Sequence, residues 1–221
     1  MKKTTVLVVA AGEGKRFGSP KQFALLAGRP VLDWSLEKFE ANKKVDEIIL
    51  VLPDESQKEK QFKHYQKIVS VTEGGQKRQD SVLSGFNLIG PSEAEIVLIH
   101  DGARPLVSED LINRVIQATF ERGAVVPVLP LEETIKEVAK GIVLRTLDRT
   151  KLFRVQTPQG FSYSVLREAL DAAQKENFYG TDEAMLVERN GGKVYTVQGD
   201  PKNIKITTQE DMKIAEALIE I

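Results

Sequence analysis

The sequence predicts an α/β protein built on a mainly parallel, twisted sheet. Two observations carry that prediction and a third modifies it. Short apolar runs rich in β-branched residues recur along the chain, continuous rather than alternating, which marks strands buried on both faces. Helix-period segments lie between them, and strands that alternate with helices argue for parallel pairing. After Pro130 the pattern changes to short polar–apolar alternation, which predicts an inserted β-arm.

The predicted strands are Thr5–Val9, Glu47–Leu52, Ile68–Val71, Glu95–Ile99 and Ala124–Leu129. Between them, Leu32, Leu36 and Phe39 share one helical face, as do Val82, Phe86 and Ile89, and Leu111, Val115 and Ala118. Ser108 is a good N-cap, with Glu109 and Asp110 in the first turn to complement the helix dipole. The arm spans residues 131–155. Thr134–Val138 and Ile142–Leu147 form its two halves, and Lys140-Gly141 is the turn between them. An isolated hairpin is marginal in water. Its apolar face (Ile135, Val138, Ile142, Leu144, Leu147) needs a cover, and a second copy of the chain is the simplest one, so a homodimer is expected. Helices follow at Ser162–Glu176 and Thr181–Asn190, the second capped by Thr181. A strand at Lys193–Val197 comes next, then a last helix behind the capping box Thr207-x-x-Glu210. His64 falls in a charge-rich helix around Lys58–Lys63 and is expected to face solvent.

Composition narrows the function. At 221 residues the chain is one domain, with the arm inside it. With 41% apolar and 29% charged residues it can build a sizeable core, so disorder and fibrous structure are excluded. A net charge of −1 offers no field for polyanions, so nucleic acid is not the expected partner. The absence of cysteine removes a thiol nucleophile, a disulfide scaffold, a zinc ribbon and an iron–sulfur cluster. Two histidines cannot make a multi-histidine metal site. Apolar runs such as Val6–Ala11 are too short to cross a bilayer, and no signal-peptide pattern opens the chain, so a cytoplasmic protein with no membrane partner is expected.

Three clusters carry chemistry. The first, Ala10-Ala11-Gly12-Glu13-Gly14-Lys15-Arg16-Phe17-Gly18 with Pro20-Lys21-Gln22, follows the first strand directly. Glycines there let backbone N–H groups approach a phosphate chain. It is not a P-loop, because Gly18 precedes Ser19-Pro20 rather than Lys-Ser/Thr. Nor is it a dinucleotide fingerprint: Phe17 stands where the third glycine belongs, and Asp54 comes about 40 residues on rather than roughly 20. What remains is a glycine turn with its own cations, Arg16 as a planar fork and Lys21 as a point charge. A turn with merely solvated charges remains open at this stage. The second cluster, Glu73-Gly74-Gly75-Gln76-Lys77-Arg78-Gln79-Asp80-Ser81-Val82, lies after the third strand and can share a crevice with the first. Its plainer reading is a turn in which Asp80 or Ser81 caps a helix. The third is His100-Asp101-Gly102-Ala103-Arg104-Pro105 at the end of the fourth strand. Asp101 could reach a magnesium ion or its water, and Arg104 an anionic substrate. An internal Asp101–Arg104 pair shaping the turn is the alternative. His100 reads as a packing residue rather than a base.

Further on come Asp148-Arg149-Thr150, Thr157-Pro158-Gln159, Thr181-Asp182-Glu183-Ala184 and Asn203-Ile204-Lys205-Ile206-Thr207. Each is weak alone. Together and in order, these segments closely resemble the 2-C-methyl-D-erythritol 4-phosphate cytidylyltransferase family, from about Thr4 to the C-terminus. The resemblance departs from the family pattern at Val9, where proline is frequent, and at Gly102, where alanine is common; neither change removes a charge.

The resemblance implies a nucleotide-diphospho-sugar-transferase-like (Rossmann-like) fold whose β-arm builds a homodimer. It implies that CTP and methylerythritol phosphate, with Mg2+, give the cytidyl diphosphate of methylerythritol and pyrophosphate. By position, Arg16 and Lys21 resemble the groups that hold the triphosphate and stabilise the transition state. Arg149 and Lys205 resemble the pair that positions the attacking phosphate. Ala10, Ala11, Gly12, Gly14, Gly75, Gln76 and Ser81 resemble the cytidine pocket. Asp101, Arg104, Thr134, Thr157 and Thr181 resemble the polyol-phosphate side, shared across the dimer. The chemistry suits the residues: a phosphate monoester attacks the α-phosphorus in line, anion meets anion, and cations rather than a general base are needed. Two alternatives stay open here, a cytidylyltransferase for another polyol phosphate such as ribitol 5-phosphate and a non-catalytic nucleotide-binding regulatory module.

Overall fold

Thr4–Val9 forms β1, and its position explains its composition. The strand lies in the middle of an eight-stranded sheet, parallel to β4 (Glu47–Leu52) on one side and β6 (Ile96–Asp101) on the other. Both of its edges are therefore paired, apolar clusters pack on both of its faces, and Val6, Leu7 and Val8 are fully buried. The structure, a computed structural model, describes residues 3–53, 62, 64–90 and 94–219. The predicted helix around Lys58–Lys63 lies almost wholly outside them. His64 is exposed, as expected.

The remaining elements follow in chain order. β2 (Leu25–Leu26) and β3 (Arg29–Pro30) form a small hairpin before α1 (Val31–Ala41). β5 (Ile68–Glu73) is the parallel strand at one edge of the sheet and leads into α2 (Arg78–Phe86). α3 (Glu109–Arg122) precedes β7 (Ala124–Pro130). β8 (Lys136–Ala139) and β9 (Ile142–Thr146) make the arm hairpin, followed by β10 (Phe153–Val155) and β11 (Gln159–Ser162). α4 (Tyr163–Lys175), α5 (Glu183–Arg189), β12 (Tyr195–Gln198) and α6 (Gln209–Ile219) complete the chain.

The sheet order is β10-β7-β11-β6-β1-β4-β5, with β12 also on β7. One face buries Val6, Val8, Ile48, Leu50 and Leu98 against α1 and α3. The other buries Leu7, Ile49, Val97 and Ile99 against α2, α4 and α5. Alternate residues of one strand thus serve two cores, which is why the strands read as unbroken apolar runs. A satellite cluster joins Phe17, Leu26, Val31, Ile206, Met212 and Ala215, and fastens the first glycine loop to the last helix.

Several expectations shift. β11 is antiparallel to both β6 and β7, a strand the sequence pattern does not reveal because Gln-Gly-Phe-Ser is short and mixed. The arm is narrower than residues 131–155, since β10 pairs antiparallel with β7 and belongs to the main sheet. The hairpin itself forms where expected, with Lys140 (φ 49) and Gly141 (φ 78) both in the left-handed region that a tight hairpin turn requires. Val138, Ile142, Val143 and Leu144 remain 54–67% exposed on it. The last helix is capped one residue later than predicted: Thr208 Oγ accepts from Asp211 N while the Asp211 carboxylate accepts from Thr207 N and Thr208 N. Asp182, not Thr181, caps α5 by accepting from Met185 N. At α2, Asp80 accepts from Lys77 N, whereas Ser81 ties the preceding loop. Ser108 caps α3 as expected, and its hydroxyl also donates to Asp200.

The two kinds of contact differ in worth. Phe161 is fully buried between the sheet and its helices. Phe161→Ala is expected to lower the unfolding free energy by about 3–5 kcal/mol, and the cap removal Ser108→Ala by about 1 kcal/mol. Urea denaturation of both variants measures the two values.

Candidate active site

β1, β4 and β6 are parallel, so their carboxyl ends share one sheet edge, where ligands of open α/β sheets bind. The chain leaves β1 with Ala10 N donating to Val51 O (2.8 Å). It then turns at Gly14, whose carbonyl accepts from Phe17 N and Gly18 N. Gly14 has φ +71°, and a Cβ there would lie 1.8 Å from Ser19 O, so no other residue fits this turn. Phe17, at the position a dinucleotide fingerprint gives to its third glycine, is a buried anchor in the satellite cluster. Two glutamines hold the loop from outside: Gln22 Nε2 donates to Gly12 O and Gln209 Nε2 to Phe17 O, each at 3.1 Å.

The second glycine loop meets the first face to face. Gly74 N donates to Leu52 O, and a Cβ on Gly74 would lie 2.1 Å from Ala11 Cβ. Ser81 Oγ accepts from Gly75 N and donates to Lys77 O, closing the loop. Between the loops lies a cavity of about 420 Å³. All seven residues expected around the cytidine line it: Ala10, Ala11, Gly12, Gly14, Gly75, Gln76 and Ser81. So do the cations Arg16, Lys21 and Lys205. Burial holds the Lys21 ammonium below the ordinary lysine value, helped by repulsion from Lys205 and Arg16.

Asp101 ends β6 at the floor of this cavity and is only 7% exposed. Its Oδ1 accepts from Arg78 Nε (3.1 Å), and its Oδ2 pairs with Lys205 Nζ (2.8 Å) and lies 3.6 Å from Arg104 Nε. Burial alone would raise its pKa, but Arg78, Lys205 and Arg104 together hold it well below the carboxylate range. Lys205 is brought there by its neighbours. Ile206 N donates to Ala103 O, Asn203 Nδ2 to Thr157 O, and Arg104 Nη1 to Asn203 O. His100 is buried and pushed down to about 3 by desolvation. Its ring nitrogens meet Arg104 O and Thr157 Oγ1, both at 3.2 Å, so it is a neutral packing residue as expected.

A second cavity of about 180 Å³ adjoins the first through Arg78, Asp101 and Lys205. Arg104, Thr157 and Thr181, all expected on the polyol-phosphate side, line it. Arg104 is largely buried and also forms the internal pair weighed from sequence, while the Thr157 hydroxyl is engaged by His100 and Asp101 N. Arg149 and Thr134 line neither cavity of this chain. Both are exposed where the arm leaves the sheet, with Arg149 Nη1 donating to Glu132 O, because the arm carries them away from the sheet edge. Four cations are therefore not gathered within one chain; three are.

Sequence reasoning missed the partners that build the floor. Arg78 lies inside the second cluster, yet its role needs two long-range contacts: Asp101 and Glu183, whose carboxylate accepts Arg78 Nη1 at 2.8 and 2.6 Å. Glu183 reads locally as a first-turn helix residue but is 1% exposed. Gln159, in the Thr157-Pro158-Gln159 segment, donates to Asp182 Oδ2. Among the described residues no group of three or more His, Asp or Glu could cage a metal ion. Asp101 and Glu13 are the carboxylates lining the larger cavity, and both are ion-paired. No helix among the described residues is long and apolar enough to cross a membrane.

The family described as IspD: 2-C-methyl-D-erythritol 4-phosphate cytidylyltransferase matches residues 4–221. A protein of that name from Geotalea uraniireducens is 44% identical over 98% of this chain and 97% of its own length. One from Geobacter metallireducens is 43% identical over 96% of each. The crystal structure of 4-diphosphocytidyl-2C-methyl-D-erythritol synthase from Anaerococcus prevotii superposes with a TM-score of 0.88 at 32% identity, covering 100% of this chain and 99% of that one. These matches favour methylerythritol phosphate over ribitol phosphate and an enzyme over a regulatory module. With the matching model spanning all but the first residues, the chain belongs to the 2-C-methyl-D-erythritol 4-phosphate cytidylyltransferase family.

Proposed function

We propose that the larger cavity binds CTP, that the adjoining one receives 2-C-methyl-D-erythritol 4-phosphate, and that the shared Asp101–Lys205 floor marks where the two phosphates meet. The observation that carries this reading is the convergence of Arg16, Lys21 and Lys205 on one cavity between two glycine loops. Backbone N–H groups and small side chains suit the base and sugar, while Arg16 and Lys21 suit the triphosphate. The substrate phosphate is already ionised at pH 7, so its oxygen attacks the α-phosphorus directly and pyrophosphate leaves with the bonding electron pair. No base has to remove a proton, in keeping with a neutral, buried His100. Lys205 reaches both cavities and suits the role of screening the two anions as they approach.

Magnesium enters this reading as part of the nucleotide substrate. With the cavity's two carboxylates ion-paired and no cage of acidic residues among the described ones, the donor set suits a Mg2+ carried mainly on triphosphate oxygens, where it would neutralise charge. Asp101 is the protein group that fits as a further ligand. Two highly charged, water-soluble substrates suit a cytoplasmic reaction.

The exposed arm supports a homodimer. Val138, Ile142, Val143, Leu144, Phe153 and Val155 are all 44–67% exposed, and Val155 also lines the second cavity. A second copy covering this surface would bring its own Arg149 and Thr134 to the polyol phosphate, each site drawing on two chains.

CTP with methylerythritol phosphate and Mg2+ is expected to release pyrophosphate, and ribitol 5-phosphate to compete poorly in the same assay. Arg16→Ala and Lys205→Ala should each lower kcat by about 10²–10³ with the fold intact. Unaltered turnover in both variants removes the assigned roles. If each site uses two chains, mixing inactive Arg16→Ala and Arg149→Ala dimers restores about one quarter of wild-type turnover, because half of each mixed dimer is complete. No recovery on mixing argues against a shared site.

The pH dependence follows from Lys21. Its ammonium is lost at lower pH than that of an ordinary lysine, whose value is 10.5. On the alkaline side kcat/KM for CTP therefore falls earlier than a free lysine would predict. Lys21→Arg, which keeps its charge, should remove that limb. A pH–rate profile of both proteins measures it.

A further inference from the structure

The third of the later sequence segments, Thr181-Asp182-Glu183-Ala184, has its least accessible member in an unexpected place. Glu183 opens α5 yet its carboxylate is 1% exposed, and Arg78, 105 residues away, donates to both of its oxygens. Burial raises the Glu183 pKa, and Arg78 offsets that rise only in part. The same guanidinium uses its Nε to hold Asp101 Oδ1, and this leaves Oδ2 for Lys205 Nζ. A chain of alternating charge therefore runs Glu183–Arg78–Asp101–Lys205, from the interior to the cavity.

A competitor stands beside that chain. Arg104 Nε is buried, has no hydrogen-bond partner, and lies 3.6 Å from Asp101 Oδ2, the oxygen that Lys205 uses. Arg104 Nε is ion-paired with that oxygen but lacks a hydrogen bond, and a buried donor without one is costly, so it gains if the carboxylate turns closer. With Oδ1 pinned by Arg78, the carboxylate cannot turn towards Arg104. Without that pin it can satisfy Arg104 and release Lys205. Arg78 in turn holds its angle because Glu183 grips the other side of its planar fork.

We propose that Arg78 and Glu183 are positioning residues for the transfer reaction: together they fix the Asp101 carboxylate so that Lys205 is presented at the junction of the two cavities. This deepens the proposed function and rests on it for the role of Lys205. Arg78 lines both cavities, but its hydrogen bonds run to Asp101 and Glu183, so the pair acts through Lys205 and governs turnover rather than CTP affinity.

The test removes both charges at once, because deleting one partner alone would leave an unpaired buried charge and threaten the fold. In Arg78→Met/Glu183→Gln, kcat for pyrophosphate release is expected to fall by about 30-fold or more, since misplacing a reacting group by an ångström costs on that order. CTP affinity by calorimetry should stay within about threefold. The same double substitution made in a Lys205→Ala background should lower kcat by less than about threefold further, because residues that act as a unit are not additive. Crystal structures of the unliganded wild type and double variant read the positioning without turnover: Lys205 Nζ should leave Asp101 Oδ2 in the variant only. Losses that multiply in full with Lys205→Ala, a CTP affinity that weakens as much as kcat, or an unmoved Lys205 each overturn the proposal. Failure of the wild type to turn over methylerythritol phosphate would count against the function and leave the crystallographic comparison to judge the positioning. If the double variant does not fold, Glu183→Asp is compared by the same readouts, with an unmoved Lys205 and full turnover again counting against the proposal.

Discussion

One buried carboxylate organises this site. Asp101 sits at the end of the central sheet with Arg78, Arg104 and Lys205 around it. A charge so buried is tolerated only when it is paired, because the loss of hydration otherwise costs several kcal/mol. The converse matters as much. Three cations brought this close, with Lys21 repelled by Lys205, would oppose one another without a counter-charge. Asp101 lets positive groups be assembled before any anion arrives. Donors held in place in this way need no rearrangement to meet an anion.

The rest of the fold serves that arrangement. Parallel pairing along β6, β1, β4 and β5 puts their carboxyl ends on one edge, where β1 delivers the first glycine loop, β5 the second, and β6 Asp101 itself. The antiparallel half of the sheet has another task. β11 places Gln159 at the second cavity, and the segment before it gives Thr157, which accepts from Asp101 N and holds His100. Asn203, buried and bound to Thr157 O, lays the Lys205 segment against Arg104. Two halves of the sheet with opposite strand pairing thus converge on one carboxylate.

Much of this was legible in the sequence, and the limits have physical causes. Buried parallel strands announce themselves by unbroken apolar runs, and glycine loops by residues that no other side chain can replace, as at Gly14 and Gly74. The arm showed as a change of period, with its turn at Lys140-Gly141. The caps of α5 and α6 fall one residue later than the pattern suggests, since adjacent Thr and Asp at α5 and adjacent Thr207 and Thr208 at α6 can each serve and only the backbone angle chooses. Glu183 and Arg78 were opaque for a deeper reason. Each has a sufficient local explanation, a helix first turn and a charged loop, and nothing local says that they meet across 105 residues. Arg149 was legible as a cation but not as an absentee, because its distance from the cavity follows from where the arm points.

The glycine loop itself shows why this site depends on side-chain charge. In phosphate loops that open a long helix, the helix N-terminus supplies about half a positive charge to the anion. Here the first loop is followed only by a three-residue 3-10 turn, Lys21–Phe23, and then a small hairpin; α1 begins at Val31. No helix dipole is aimed from this loop. The position that a dinucleotide fingerprint would give to a third glycine, packing helix on strand, is given to Phe17, which anchors the loop from below in a separate apolar cluster. On this side of the cavity the attraction a helix would have supplied falls to Arg16 and Lys21, which the loop carries within its own length, while the N-terminus of α2 lines the cavity from the second loop. A loop built this way offers an anion fixed full charges in place of a helix dipole. The failure of the two familiar phosphate-loop patterns and the presence of those two cations are therefore one fact seen twice.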